Sequence, residues 1–320
     1  YVSFMLSAVF FSCFEKRPDV VIGTSPQFFT AVGAWLISVL RWRPFVFELR
    51  DLWPASIVTV EAMKKGTAIR LLESLELFLY RRAAAVVSVT ESFKKDLIER
   101  GIDGTKIHVV RNGVDLSRYQ PRPPSGELAE QLGVSNRFVV GYLGTFGMAH
   151  ALDNVARAAQ LLADEPDLVF LLVGHGAQEK ELRALVTELG LDNVVIHGFV
   201  PKEQMPELWS ICDVALVHLK DDPVFSTVIP SKIFEALGMG KPVLIAQPDG
   251  EAVDLVRKAS AGVWVAPGQP GALAEAVRDL YRRPESLAQF ARNAGEAAGE
   301  HSRDRLAGEM AKILHRVCDS

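Results

Sequence analysis

Strand-length apolar runs alternate with helix-length amphipathic stretches along this 320-residue chain. That alternation predicts an α/β protein built of doubly wound parallel sheets. The apolar runs, Val243-Leu244-Ile245-Ala246 among them, are continuous rather than alternating, as strands buried on both faces require. The pattern also runs twice. A Pro-rich polar break, Pro121-Arg122-Pro123-Pro124-Ser125-Gly126, separates the two series and predicts two domains, residues 1–125 and 126–301, with a further helix over 302–320.

Residues 1–14 form an apolar, helix-compatible run that stops at Glu15-Lys16-Arg17-Pro18. Asp19-Val20-Val21-Ile22-Gly23 is a short strand, turned by Thr24-Ser25-Pro26 into a helix over 28–42. Phe45-Val46-Phe47-Glu48-Leu49 is the second strand and ends at Arg50-Asp51-Leu52-Trp53-Pro54. A long helix near 67–82 leads to the third strand, 85–89, and Thr90 caps a helix that Gly101 ends. Ile107-His108-Val109-Val110 is the fourth, broken by Arg111-Asn112-Gly113-Val114-Asp115, where Asn112 and Gly113 suit positive φ. After the break, strands are expected at 138–143, 168–173, 194–197, 214–218, 243–246 and 263–265, with a helix over 152–162. Ser302 caps a last helix whose Leu306, Met310, Ile313, Leu314 and Val317 form one stripe that must be buried. Four strands stand before the break and six after it. Two similar halves would be closer in size, so the first is expected to lack its opening units, an expectation with which Tyr1 in place of Met agrees.

Composition narrows the function classes. Hydrophobic residues at 49% and charged residues at 23% are ordinary for a globular protein. Cys13, Cys212 and Cys318 are far apart, which argues for a reducing compartment and against a disulfide frame or a cysteine zinc site. The net charge of −4 divides unevenly, with 17 Lys and Arg against 12 Asp and Glu in residues 1–125 and 18 against 27 thereafter. A basic first half suits anionic lipid or a phosphorylated acceptor, and equally a scattered solvated surface. The uncharged window 20–40 is interrupted by Gly23-Thr24-Ser25-Pro26-Gln27, leaving about a dozen apolar residues, too few to cross a bilayer. No Gly-x-Gly-x-x-Gly follows a strand with an acid about 20 residues on, which disfavours a dinucleotide-dependent dehydrogenase.

The chemistry centres on Pro230-Ser231-Lys232-Ile233-Phe234-Glu235, a loop opening a short helix that Gly240 stops before the strand at Val243. Pro230 is expected at the first helical position. Lys232 and Glu235 share one side of the first turn, where unpaired N–H groups and the dipole suit an anion. A phosphate at Lys232 and a sugar hydroxyl at Glu235 is one reading; a surface Lys–Glu pair is the other.

Five motifs in order carry a resemblance over essentially the whole chain: Arg50-Asp51-Leu52-Trp53-Pro54, Arg111-Asn112-Gly113-Val114-Asp115, Gly144-Thr145-Phe146-Gly147 with Leu152-Asp153, Val173-Gly174-His175-Gly176, and Pro230 to Glu235. Together they resemble glycosyltransferase family 4, and within it the bacterial envelope-polysaccharide branch of fucosamine- and colanic-acid-type transferases. The resemblance implies a GT-B fold, two Rossmann-like domains facing a cleft, whose last helix returns to the N-terminal domain. The family's opening strand and Gly-rich turn have no match ahead of Tyr1, which agrees with the strand count.

The resemblance also assigns residues. The nucleotide-sugar would lie against the second domain, the acceptor against the first. Gly144, Thr145 and Gly147 would meet the diphosphate; Gly174, His175, Phe199 and Val200 would hold the base; Glu235 would grip the ribose. Where the family carries the first of two paired glutamates this chain has Thr227, which weakens the expected grip on the transferred sugar. Met148-Ala149-His150 brings no fixed charge where relatives often have a basic pair, so Lys232, with Ser231 beside it, takes more of the diphosphate's charge. Arg50 is a candidate phosphate partner and Asp51 a candidate hydroxyl contact, a structural Arg–Asp bond being equally open. Asp51 and Lys232 are thus the catalytic candidates.

The implied reaction is retaining, metal-independent transfer of a sugar, without a cofactor, from a uridine-diphosphate donor to a glycan or polyprenyl-linked acceptor in envelope-polysaccharide assembly. The implied place is the cytoplasm, with peripheral contact at the inner membrane and no nucleic-acid partner. The rivals are a GT-B nucleotide-sugar epimerase, which needs no acceptor, and an inactive nucleotide-sugar-binding remnant.

Overall fold

The computed structural model describes residues 1–52 and 66–319; Trp53 and Pro54 of the first motif lie outside them. The chain divides into two compact units, Tyr1–Asn112 with Asp304–Ser320, and Gly113–Arg303. The division falls ahead of the Pro-rich segment, which lies inside the second unit. There Ser125 caps a helix by accepting from the Leu128 N–H at 3.4 Å and donates its hydroxyl proton to Glu207 at 2.8 Å. Asn112 and Gly113, expected to use positive φ, are not among the residues that do.

In the first unit, β1 (Val21–Thr24), β2 (Phe45–Leu49), β3 (Ala85–Ser88) and β4 (Ile107–Val109) make a parallel sheet in that order. Among the described residues before Asn112 its helices are α1 (Val2–Ser12), α2 (Phe28–Arg41), α3 (Thr67–Arg82) and α4 (Glu91–Glu99). Thr90 caps α4 as expected, accepting from the Phe93 N–H at 3.1 Å. Phe45, Phe47, Leu49 and Val86 pack with Phe28, Leu79, Tyr80 and Phe93 into one core.

In the second unit the strands are β5 (Phe138–Leu143), β6 (Leu168–Val173), β7 (Val194–His197), β8 (Val214–His218), β9 (Val243–Ala246) and β10 (Gly262–Val265). The helices are α5 (Gly126–Gln131), α6 (Leu152–Gln160), α7 (Glu179–Glu188), α8 (Met205–Ser210), α9 (Lys232–Gly238), α10 (Glu251–Lys258), α11 (Pro270–Arg282) and α12 (Pro284–Ala298). The sheet is parallel, ordered β10-β9-β8-β5-β6-β7. The chain therefore winds outward from β5 through β6 and β7, then restarts on the other side of β5 at β8. Strand alternation divides the side chains between two cores. Val139 and Leu143 join Trp209, Ile233 and Phe234 on one face, while Val140 and Tyr142 join Phe146, Phe170 and Leu244 on the other.

The helix at the central motif begins at Lys232, with Ser231 as its cap residue, so Pro230 stands just outside rather than at the first helical position. Gly240 ends it at φ 64°.

The last helix, α13 (Arg303–Asp319), belongs to the first unit from Asp304 onward. Ile313 packs with Val46, Ala85 and Val87, and half-buried Met310, Leu314 and Val317 close around it. That face of the first sheet is covered by residues far away in sequence. Among the described residues no helix is long and apolar enough to cross a membrane.

Candidate functional site

A doubly wound sheet leaves a crevice at the carboxyl ends of its strands where the winding reverses, here between β5 and β8. The loops after β5, β6 and β7 are tied in a row there. Gly144 N–H donates to Val173 O at 2.9 Å, Gly174 N–H to His197 O at 3.1 Å, and Phe146 N–H to His175 O at 2.9 Å. Gly174 has φ +152° and packs so tightly that a Cβ on it would run into the Gly144 carbonyl. Only glycine permits that approach.

Over these loops lies a cavity of about 280 Å³. Gly144, Thr145, Gly174, His175, Phe199, Val200 and Glu235 line it, so the three loops and α9 converge as their motifs suggested. His175 and Phe199 meet edge to face at 5.3 Å between ring centres. Val173, which opens the Val173-Gly174-His175-Gly176 motif, lines it too, as do Tyr119, Lys202 and Met205, which were not foreseen. Lys202 stands two residues beyond Val200, so reading on from the expected base contacts Phe199 and Val200 finds it. Tyr119 sits in an unpatterned stretch and gives no such signal.

Other expected residues are not on the lining. Gly147 is not among the lining residues and lies close to His150 and Thr145. The Thr227 hydroxyl donates to Val224 O at 2.8 Å, closing the short helical turn Pro223–Thr227. Ser231 is exposed, and its side chain caps nothing. In the first unit, Ser25 at the end of β1 gathers the end of β2: its hydroxyl accepts from Arg50 N–H at 2.9 Å and from Asp51 N–H at 3.2 Å. The Arg50 guanidinium donates to Asn112 Oδ1 at 3.3 Å.

Lys232 and Glu235 do not form the surface pair that their spacing also allowed. Lys232 is buried, and its Nζ has no hydrogen-bond partner. The ammonium sits 3.4 Å from the centre of the Tyr142 ring, directly under Gly144. Burial lowers its pKa to about 7, against the opposing pull of Glu235. Glu235 accepts from the Trp209 indole N–H at 3.2 Å. Burial, and then the Glu235 charge, push the Tyr119 phenol far above its ordinary range, although its hydroxyl completes no hydrogen bond of good geometry.

At the reversal point His150 and His218 are bound reciprocally. His150 Nδ1 meets His218 O at 3.3 Å, and His218 Nδ1 meets His150 O at 2.8 Å. A carbonyl only accepts, so each Nδ1 carries the proton. Burial first, then Lys232, lower the His150 pKa to about 4, and burial lowers that of His218. Both imidazoles are therefore neutral near pH 7.

A larger hollow of about 450 Å³ lies between β10, α11 and α12, walled by Trp264, Leu280 and Phe290. Its Arg283 pairs with Asp279 at 3.7 Å, and it lies away from the reversal point, so no comparable set of groups converges there. Among the described residues no three His, Cys, Asp or Glu side chains gather as a metal ion requires.

Comparison with known proteins fits this geometry. The family described as glycosyl transferases group 1 matches residues 126–297, and a glycosyl transferase 4-like domain matches residues 4–113. The colanic acid biosynthesis glycosyl transferase WcaI of Escherichia coli K12 is 27% identical over 251 residues, 76% of this chain and 61% of WcaI. The 2-deoxystreptamine glucosyltransferase of Streptomyces kanamyceticus is 31% identical over 220 residues, 67% of this chain and 55% of that enzyme. The chain thus spans less than two thirds of the length of these relatives. Anabaena HepE, solved with UDP-glucose, superposes with a TM-score of 0.80 at 24% identity, covering 98% of this chain and 82% of HepE. At that identity the likeness establishes the fold: two Rossmann-like parallel-sheet domains of the GT-B kind.

Proposed function

Because the chain belongs to the glycosyl transferases group 1 family, we propose that it transfers a sugar from a uridine-diphosphate donor to a glycan or polyprenyl-linked acceptor, with retention at the anomeric carbon. One observation carries the reading. A buried ammonium without a hydrogen-bond partner, that of Lys232, lies against Gly144, whose bare backbone lines the same cavity as Glu235. Such a cavity suits a nucleoside diphosphate. The phosphates meet Lys232 and the backbone N–H of Thr145, that of Gly144 being already given to Val173 O, while the ribose meets Glu235 and the base meets the His175–Phe199 pair. Lys202, also on the lining, brings a second cation toward the phosphates.

As the bond between sugar and phosphate breaks, negative charge grows on the departing diphosphate. Lys232 and the backbone amides stabilise that charge more than they stabilise the bound donor, and the difference lowers the barrier. No metal is needed for this. Donor chemistry belongs to the second unit, and acceptor contacts belong to Arg50 and Asp51 of the first. The name of WcaI supports a role in envelope-polysaccharide assembly.

The test is a panel of UDP-, GDP-, ADP- and TDP-sugars scored by thermal shift, since a ligand bound only by the folded state raises its stability. The stabilising donor is then incubated with lipid-linked and free glycan acceptors, and the product's anomeric configuration is read by NMR. Acceptor-dependent product of the donor's configuration is expected. Turnover of the donor without an acceptor, binding without any turnover, or inversion in the product would each contradict the reading.

A further inference from the structure

The Lys232 ammonium meets the Tyr142 ring face, 3.4 Å from its centre, rather than a carboxylate or a carbonyl. The Tyr142 hydroxyl is committed elsewhere, donating to Thr145 O at 2.7 Å, so the π-face is what the lysine touches. The ring is fully buried, with Phe146 at 6.2 Å and His150 at 5.8 Å between ring centres. Charged and titratable groups face Lys232 from several elements. Glu235 stands on its own helix α9, Tyr142 on β5, His150 on the turn after β5, and His218 on β8 with Asp153 of α6 acting upon it. The two imidazoles are neutral and donate through their Nδ1 atoms to each other's backbone carbonyls, so neither opposes nor balances the lysine's charge near pH 7.

We propose that Tyr142 is a positioning residue: its ring face keeps the Lys232 ammonium charged and aimed under Gly144 until the diphosphate of a nucleotide takes it over. This rests on the assignment of Lys232 to the diphosphate. The physical reason is that a buried lysine without an anion sheds its proton, whereas the negative face of an aromatic ring favours the charged form. Lys232, with a pKa of about 7, sits where a modest gain from the ring decides how much of it is charged at neutral pH.

The test changes the electron density of the ring and keeps its shape. Phenylalanine, and phenylalanine carrying one, two or three ring fluorines, are installed at position 142 of the full chain. All members lack the bond to Thr145, so Tyr142→Phe is the reference for the series. Uridine diphosphate binding is followed by calorimetry across pH 5.5–9 in buffers of different ionisation enthalpy, which counts the protons taken up. The apparent pKa governing affinity should fall stepwise with fluorination, by about one pH unit over the series. Proton uptake on binding just above neutral pH should rise with it, and Lys232→Gln should abolish the uptake. A pKa that stays constant across the series, while Lys232→Gln still abolishes uptake, overturns the role of Tyr142 and leaves Lys232 at the diphosphate. If Lys232→Gln binds the nucleotide with unchanged affinity and proton uptake, the assignment of the lysine fails, and the proposal with it.

Discussion

The Trp209 indole N–H donates to a Glu235 carboxylate oxygen at 3.2 Å, from a side chain that is itself fully buried. Glu235 is thereby held by the core at the same time as it lines the cavity. A carboxylate held in this way loses little freedom when it accepts a ligand hydroxyl, which is the advantage of a site organised before binding.

Glu235→Gln should weaken uridine diphosphate and the sugar donor alike, by about 1–3 kcal/mol for a lost charge-assisted hydrogen bond. Trp209→Phe should weaken both less, because the carboxylate remains and only its anchor is gone. Calorimetry on the two variants checks the order. Full nucleotide affinity with turnover abolished in Glu235→Gln would move the glutamate from binding to chemistry.

Lys232→Ala should lower kcat by about 10²–10³-fold and raise the donor KM less, since the interaction strengthens in the transition state. Nucleotide affinity should also depend on pH. Burial holds Lys232 near pH 7 in the empty site, and the bound diphosphate favours its charged form. Affinity is therefore fully present below the empty-site pKa and declines as pH rises above 7, toward tenfold per pH unit. Steady-state kinetics and binding isotherms at pH 6, 7, 8 and 9 decide both points.

Gly174→Ala should be among the most damaging small substitutions in the second unit. The added Cβ meets the Gly144 carbonyl, and the φ of +152° is strained for any L side chain. The expected result is a lower melting temperature together with loss of the nucleotide-induced thermal shift, measured side by side with a surface Gly295→Ala control.

Ile313→Ala tests the first unit alone. It empties a site shared with Val46, Ala85 and Val87, and large-to-small changes of this kind cost about 2–5 kcal/mol. Denaturant unfolding should show that loss, while uridine diphosphate affinity in the second unit stays as it was.

Excess chelator should leave sugar transfer intact, because the charge on the leaving diphosphate is met by Lys232 and backbone amides. Activity lost to chelation and restored by manganese or magnesium would place a metal ion in the reaction.

The fold was readable where the signal is local. Continuous apolar runs such as Leu168–Val173 became strands because burial on both faces demands them, and Thr90 and Gly101 bounded their helix by chemistry that acts within a few residues. Glycines at strand ends pointed to the cavity for the same reason. The unforeseen features come from tertiary packing. Sequence spacing put Lys232 and Glu235 on one side of a helix, but it could not show the lysine turned inward onto Tyr142, a residue 90 positions away. Nor could it show Thr227 spending its hydroxyl on Val224, or Tyr119 reaching Glu235 from the far side of the Pro-rich segment.

The assignment of α13 to the first unit bears on how the chain acquires its structure as it is made. The second unit is one uninterrupted stretch, Gly113–Arg303, and all of it leaves the ribosome before Ile313 does. Until then the face of the first sheet formed by Val46, Ala85 and Val87 has no cover from α13. The part translated first is therefore the part completed last. During the interval that apolar sheet face lacks its native cover and is open to solvent and to chaperones.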